Sequence, residues 1–74
     1  MRQCKELKSQ ARDALQRRDY ELAVRLYTQA IDLSSGVVAL YSNRASALMH
    51  LKCYRQALAD ADQILVLMPN SPQV

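Results

Sequence analysis

Apolar residues recur at helical spacing in four separate stretches of this chain. Over 3–17, Leu7, Ala11, Ala14 and Leu15 fall at i, i+4, i+7 and i+8, one stripe of an amphipathic helix. Arg18-Asp19 interrupts the stripe. Asp19 suits the N-cap of a following helix, with Glu21 in the first turn near the positive helix end. The pattern resumes from Tyr20 to Leu33 with Ala23, Tyr27, Ala30 and Ile31. Glu21 and Arg25 stand at i,i+4 in the favourable order, an ion pair worth a few tenths of a kcal/mol. Ser34-Ser35-Gly36 closes this stretch, and the single Gly is expected to supply a left-handed cap. Over 38–51, Leu40, Tyr41, Ala45, Leu48 and Met49 share a side. Lys52-Cys53 is a short break. From Tyr54 to Leu67 a broad apolar face gathers Ala57, Leu58, Ala61, Ile64 and Leu65, and Met68 extends it. Pro69-Asn70-Ser71-Pro72 stops the pattern. The spacing predicts an all-α chain of four helices whose loops are short enough to force neighbours antiparallel.

The two halves superimpose without a gap at a distance of 34 residues. Leu7 matches Tyr41, Ala11 matches Ala45, Tyr20 matches Tyr54, and Ala23 matches Ala57. Small residues recur where helices must approach closely, and Leu7, Tyr20, Tyr41 and Tyr54 read as core. A helix-turn-helix unit of this period resembles the tetratricopeptide repeat. Two tandem repeats are expected, at 4–37 and 38–71, as a fragment of a longer repeat domain. The family pattern has a closing Pro, here Pro69 in the second unit, while Ser35 stands in its place in the first. Ile64 replaces the small residue that Ala30 keeps in the first unit. The resemblance implies an α-α superhelix whose first helix in each repeat lines a concave, peptide-binding groove.

Leu40-Tyr41-Ser42-Asn43-Arg44-Ala45 is similar to the second-repeat helix of co-chaperones that clamp the acidic C-terminal tail of heat-shock chaperones. By repeat position that resemblance assigns Lys8 and Asn43 to the clamp. Arg12 stands where the family has Asn, Gln73 where it has a Lys, and the clamp's last Arg would fall beyond residue 74. Independently of the family, Lys5, Lys8 and Arg12 sit at i, i+3 and i+7 and so share one side of their helix. Cations beside an amide suit a carboxylate, because both donate hydrogen bonds. Met49 and His50 are further candidates for contact with a peptide. The same spacing also describes an ordinary solvated helix face.

Composition narrows the classes. The chain has 74 residues, 50% of them hydrophobic and 23% charged, which is globular rather than disordered. A β-sandwich needs far more turn chemistry than one Gly provides. No apolar run approaches the roughly 20 residues of a membrane span, and no secretory signal is visible. A net charge of +3, spread over both halves, does not suggest nucleic-acid binding. Cys4 and Cys53 read as reduced thiols of a cytosolic or nuclear chain. His50 and Cys53 fall short of the three or four ligands that zinc takes. No catalytic constellation and no cofactor motif is present, so no enzyme activity is expected in this segment. The leading expectation is a protein-interaction module that binds a peptide, of the co-chaperone type. Two alternatives stand beside it: a structural or self-associating scaffold, and a substrate-recruiting module of a larger enzyme such as a ubiquitin ligase. The apolar face of 54–67 also leads to an expected homodimer.

Overall fold

The computed structural model describes residues 2–34 and 36–68. Four helices follow one another: α1 Arg2–Gln16, α2 Tyr20–Leu33, α3 Val38–His50 and α4 Tyr54–Leu67. Each packs on its neighbour in sequence, α1 on α2, α2 on α3 and α3 on α4. No strand occurs among the described residues. Ser35, and the Pro69, Pro72 and Gln73 of the sequence argument, lie outside them.

The core forms where the stripes meet. Ala11, Ala14, Ala23, Tyr27, Ala30, Ile31, Leu40, Tyr41 and Ala47 make one buried cluster, with Leu7, Leu15, Tyr20, Ile64 and Leu67 packed against it. Alanines at the crossings keep the helix axes close, and Tyr27 and Leu40 fill the larger space between them. Two core expectations need correction. Tyr54 is exposed, because no described helix lies against that side of α4. Ala45 is only half-buried, whereas Ala47 is fully buried. The buried arc of α3 is therefore centred on Leu40, Ala47 and Leu48, because α3 packs between two helices rather than on one.

The turns inside the two helix pairs have the same construction. Asp19 N–H donates to the Ala14 carbonyl and Arg18 N–H to that of Leu15, while Cys53 N–H donates to Leu48 and Lys52 N–H to Met49. This is the Schellman arrangement, which satisfies the last carbonyls of a helix through one left-handed residue. Those residues are Arg18 at φ 65° and Lys52 at φ 64°. The expected left-handed cap at Gly36 does not form, since no Gly has positive φ. α2 ends instead on Ser34 at φ −150°, whose N–H bonds the Ala30 and Ile31 carbonyls. Asp19 caps α2 as expected, accepting from Leu22 N–H at a long 3.4 Å. Cys53, its counterpart, makes no such bond, so α4 starts without a side-chain cap. The Glu21–Arg25 ion pair does not form among the described residues. Asp13 and Arg17 make an i,i+4 pair instead, at 3.0 Å.

A side chain with a Cβ is disfavoured in the left-handed region. Arg18→Gly and Lys52→Gly are therefore each expected to stabilise the fold by roughly 0.5–1 kcal/mol. Thermal melts of the two variants test this, and a lowered midpoint in both would contradict it.

Candidate functional site

The cationic positions come from one helix. Lys5, Lys8 and Arg12 line a shallow groove along α1, together with Ser9, Asp13 and Gln16. Lys5 and Arg12 are exposed and Lys8 is half-buried, which leaves its stem on the core and its ammonium free to reach solvent. α1 presents these residues together because its other side is held in the core by Ala11 and Ala14.

Asn43 reaches the same neighbourhood from α3, through α2. Tyr27 on α2 is completely buried, and its hydroxyl has no hydrogen-bond partner at standard geometry. Burial raises its pKa, while the Arg12 charge and the Asn43 amide both act to lower it. Arg12 on α1 and Asn43 on α3 thus both act on one phenol of α2. Lys8, one helical turn before Arg12, extends the cationic side toward Lys5. Such an arrangement offers a carboxylate two kinds of donor, a charged fork and a neutral amide.

Met49 and His50 sit elsewhere. His50 stacks on Tyr20, with ring centroids 4.3 Å apart and planes 12° apart. Its Nδ1 donates to the Ser46 carbonyl at 2.9 Å. Tyr20 and Tyr27 on α2 thus meet His50 and Asn43 on α3 in reverse order, the antiparallel register of the two helices. His50 lies two turns along α3 from Asn43 and is tied to the junction of α2 and α3. Met49 is exposed. Among the described residues, no three His, Cys, Asp or Glu side chains gather as a metal site would require.

Sequence reasoning missed one charged constellation altogether. Arg44 on α3 makes a two-pronged hydrogen-bonded ion pair with Asp60 on α4. Nε donates to Oδ2 at 2.8 Å, and Nη2 donates to Oδ1. Its Nη1 donates to Thr28 Oγ1 on α2 at 3.2 Å, and that hydroxyl donates in turn to the Val24 carbonyl at 2.7 Å. The guanidinium also lies over the Tyr41 ring, 5.7 Å from its centroid. The Asp60 bond holds the Arg44 pKa above its usual value, against the opposing effect of burial. One arginine therefore ties α3 to the helices on both sides. Asp60 gives a faint sequence signal, since it interrupts an otherwise apolar arc of α4 between Ala57 and Ile64.

Comparison with known proteins agrees with this fold. The TPR2B domain of yeast Sti1, solved in a pHsp70 complex, superimposes with a TM-score of 0.89 at 28% identity, over 96% of this chain and 57% of that one. The chain has the tetratricopeptide-repeat fold of that domain. Mouse serine/threonine-protein phosphatase 5 is 40% identical over 67 residues, 90% of this chain and 13% of that protein. The small glutamine-rich tetratricopeptide repeat-containing protein 2 of Saccharomyces cerevisiae is 40% identical over 65 residues, 88% of this chain and 19% of that protein. The STIP1 homolog of Dictyostelium discoideum is 38% identical over 65 residues, 88% of this chain and 12% of that protein. No family model matches the chain. Because the tetratricopeptide-repeat chain spans less than a fifth of these relatives, the phosphatase name describes a far longer protein. As a tetratricopeptide-repeat unit the chain is a protein-interaction module. No helix among the described residues is long and apolar enough to cross a membrane.

Proposed function

We propose that this chain binds the acidic C-terminal tail of a chaperone, as a co-chaperone module of the cytosol or nucleus, through the side shared by α1 and α3. The observation that carries the reading is the groove along α1 lined by Lys5, Lys8 and Arg12, with the Arg12 charge and the Asn43 amide of α3 both acting on the buried Tyr27 phenol. Arg12 takes a carboxylate with its guanidinium fork, Asn43 donates an amide N–H, and Lys8 adds a point charge one turn away. The repeats at 4–37 and 38–71 supply one wall each. Met49 and His50 belong to the outer margin of this surface rather than to the carboxylate site. The pHsp70 complex of the structural neighbour supports a chaperone tail as ligand. The match to a phosphatase supports a related reading, in which such a repeat pair recruits substrate within a larger enzyme. No enzyme activity and no cofactor is assigned to these residues.

Affinity is expected to be micromolar or weaker, because exposed ion pairs contribute roughly 0–1 kcal/mol each. Titration of the chain with an acidic peptide ending in a free carboxylate tests the reading. Lys8→Ala and Asn43→Ala should each weaken binding, and added salt should do the same. Equal affinity for the amidated and free-acid peptides would refute a carboxylate site.

A further inference from the structure

Arg18 and Lys52 are the two described residues with positive φ, at 65° and 64°, and both are cations. The left-handed region suits Gly, so a long charged side chain there carries strain that Gly would avoid. Strain of this kind persists where the side chain is put to use. The two positions are 34 residues apart, the period of the repeat, so the same choice is made twice.

The fold sets the two turns side by side. Tyr20, two residues after Arg18, stacks on His50, two residues before Lys52, with ring centroids 4.3 Å apart. Arg18 and Lys52 are both exposed, and neither enters an ion pair among the described residues. Arg17 beside them is already held by Asp13 at 3.0 Å.

These turns stand at one end of the carboxylate site proposed above. The groove along α1 runs from Lys5 past Arg12 to Gln16, and Arg18 follows two residues on. On α3, Asn43, Ser46 and His50 fall at i, i+3 and i+7 on one side, and Lys52 again follows two residues on. α1 and α3 point the same way, because each packs antiparallel to α2. Both lines therefore end at the same pair of turns.

We propose that Arg18 and Lys52 are specificity residues of that site, binding acidic side chains that precede the terminal carboxylate of the bound tail. The inference rests on the carboxylate reading and adds a sequence requirement to it. Arg18 lies six residues beyond Arg12, and Lys52 nine beyond Asn43. At the helical rise these separations are about 9 and 13 Å. An extended peptide advances about 3.3 Å per residue. With its carboxylate at Arg12 and Asn43, a tail therefore brings its third and fourth residues before the C-terminus to the turns. Acidic residues there pair with the two cations, and neutral ones leave them in water, so the turns discriminate among tails.

Fluorescence titration at low salt tests this with two peptides ending in a free carboxylate, identical except for Glu or Gln at the third and fourth positions before it. The Glu peptide is expected to bind on the order of 10-fold tighter. Arg18→Gly and Lys52→Gly should each remove about 2- to 5-fold of that difference and leave affinity for the Gln peptide unchanged. Both variants are also expected to melt higher, so a loss of affinity in them does not come from unfolding. Arg18→Lys should keep the preference. Arg18→Glu combined with Lys52→Glu should shift it to a peptide with Lys at those two positions. Equal binding of the Glu and Gln peptides, by a chain that still distinguishes free from amidated termini, overturns the role of the turns and leaves the carboxylate site standing. A preference for Glu that survives intact in both Gly variants overturns it as well. A chain that binds neither peptide overturns both readings.

Discussion

Arg44→Ala is expected to destabilise the fold by about 3–5 kcal/mol, read as a shift in a urea or thermal melt. The substitution leaves the Asp60 carboxylate in place, only 5% exposed and without its partner. It also frees Thr28 from the bond that links α2 to α3. A chain of 74 residues at ordinary stability per residue holds roughly 4–11 kcal/mol in all, so this loss is a large share of it. Asp60→Asn should cost less, because an amide oxygen still accepts from the guanidinium. Arg44→Met combined with Asp60→Leu should recover most of the loss, since apolar residues of similar volume need no desolvated charge. Should Arg44→Ala melt with the unaltered chain, Arg44 is not holding α3 to α2 and α4.

Tyr27→Ala is expected to cost about 3–5 kcal/mol, the range for emptying a large buried ring site. Tyr27→Phe, by contrast, should leave stability unchanged or raise it. It keeps the ring and removes a buried hydroxyl that makes no standard hydrogen bond. The two variants also separate at high pH. Burial raises the Tyr27 pKa above its ordinary value of 10.0. Above that value the unfolded chain releases the phenol proton while the folded chain retains it, so ionisation favours unfolding. The stability is fully present below pH 10.0 and is lost as pH climbs through the raised folded value. Denaturant melts between pH 9 and 11 should therefore show a steeper decline for the unaltered chain than for Tyr27→Phe. Identical slopes would show that the phenol is not held neutral by the fold.

The proposed carboxylate site was half legible in the residues. Lys5, Lys8 and Arg12 share a side because 3.6 residues make a turn, and α1 keeps that side out of the core. Asn43 could be joined to them only through the repeat resemblance. What lies between them is Tyr27, which in sequence is one more apolar position of the α2 stripe. Its part in the site depends on how α1 and α3 flank α2, and no spacing within one helix encodes that.

Four helices, their order and most of their ends followed from the sequence alone. Amphipathic spacing and helix termini are local properties, set by residues within a few turns of one another. The 34-residue period likewise gave the equivalence of the two pairs. Tertiary structure decided the rest. Arg18 and Lys52 take left-handed conformations that their side chains do not advertise, because both turns must bring the chain straight back onto its own helix. Arg44 and Asp60, 16 residues apart, look like solvated charges until α3 and α4 pack and exclude water from between them. Tyr20 and Tyr54 hold one position in the period, yet Tyr20 is covered by His50 while Tyr54 is exposed. A periodic pattern states which face of a helix is apolar. Burial is a property of that face and its neighbour together, so only the packed structure distinguishes the covered face from the exposed one.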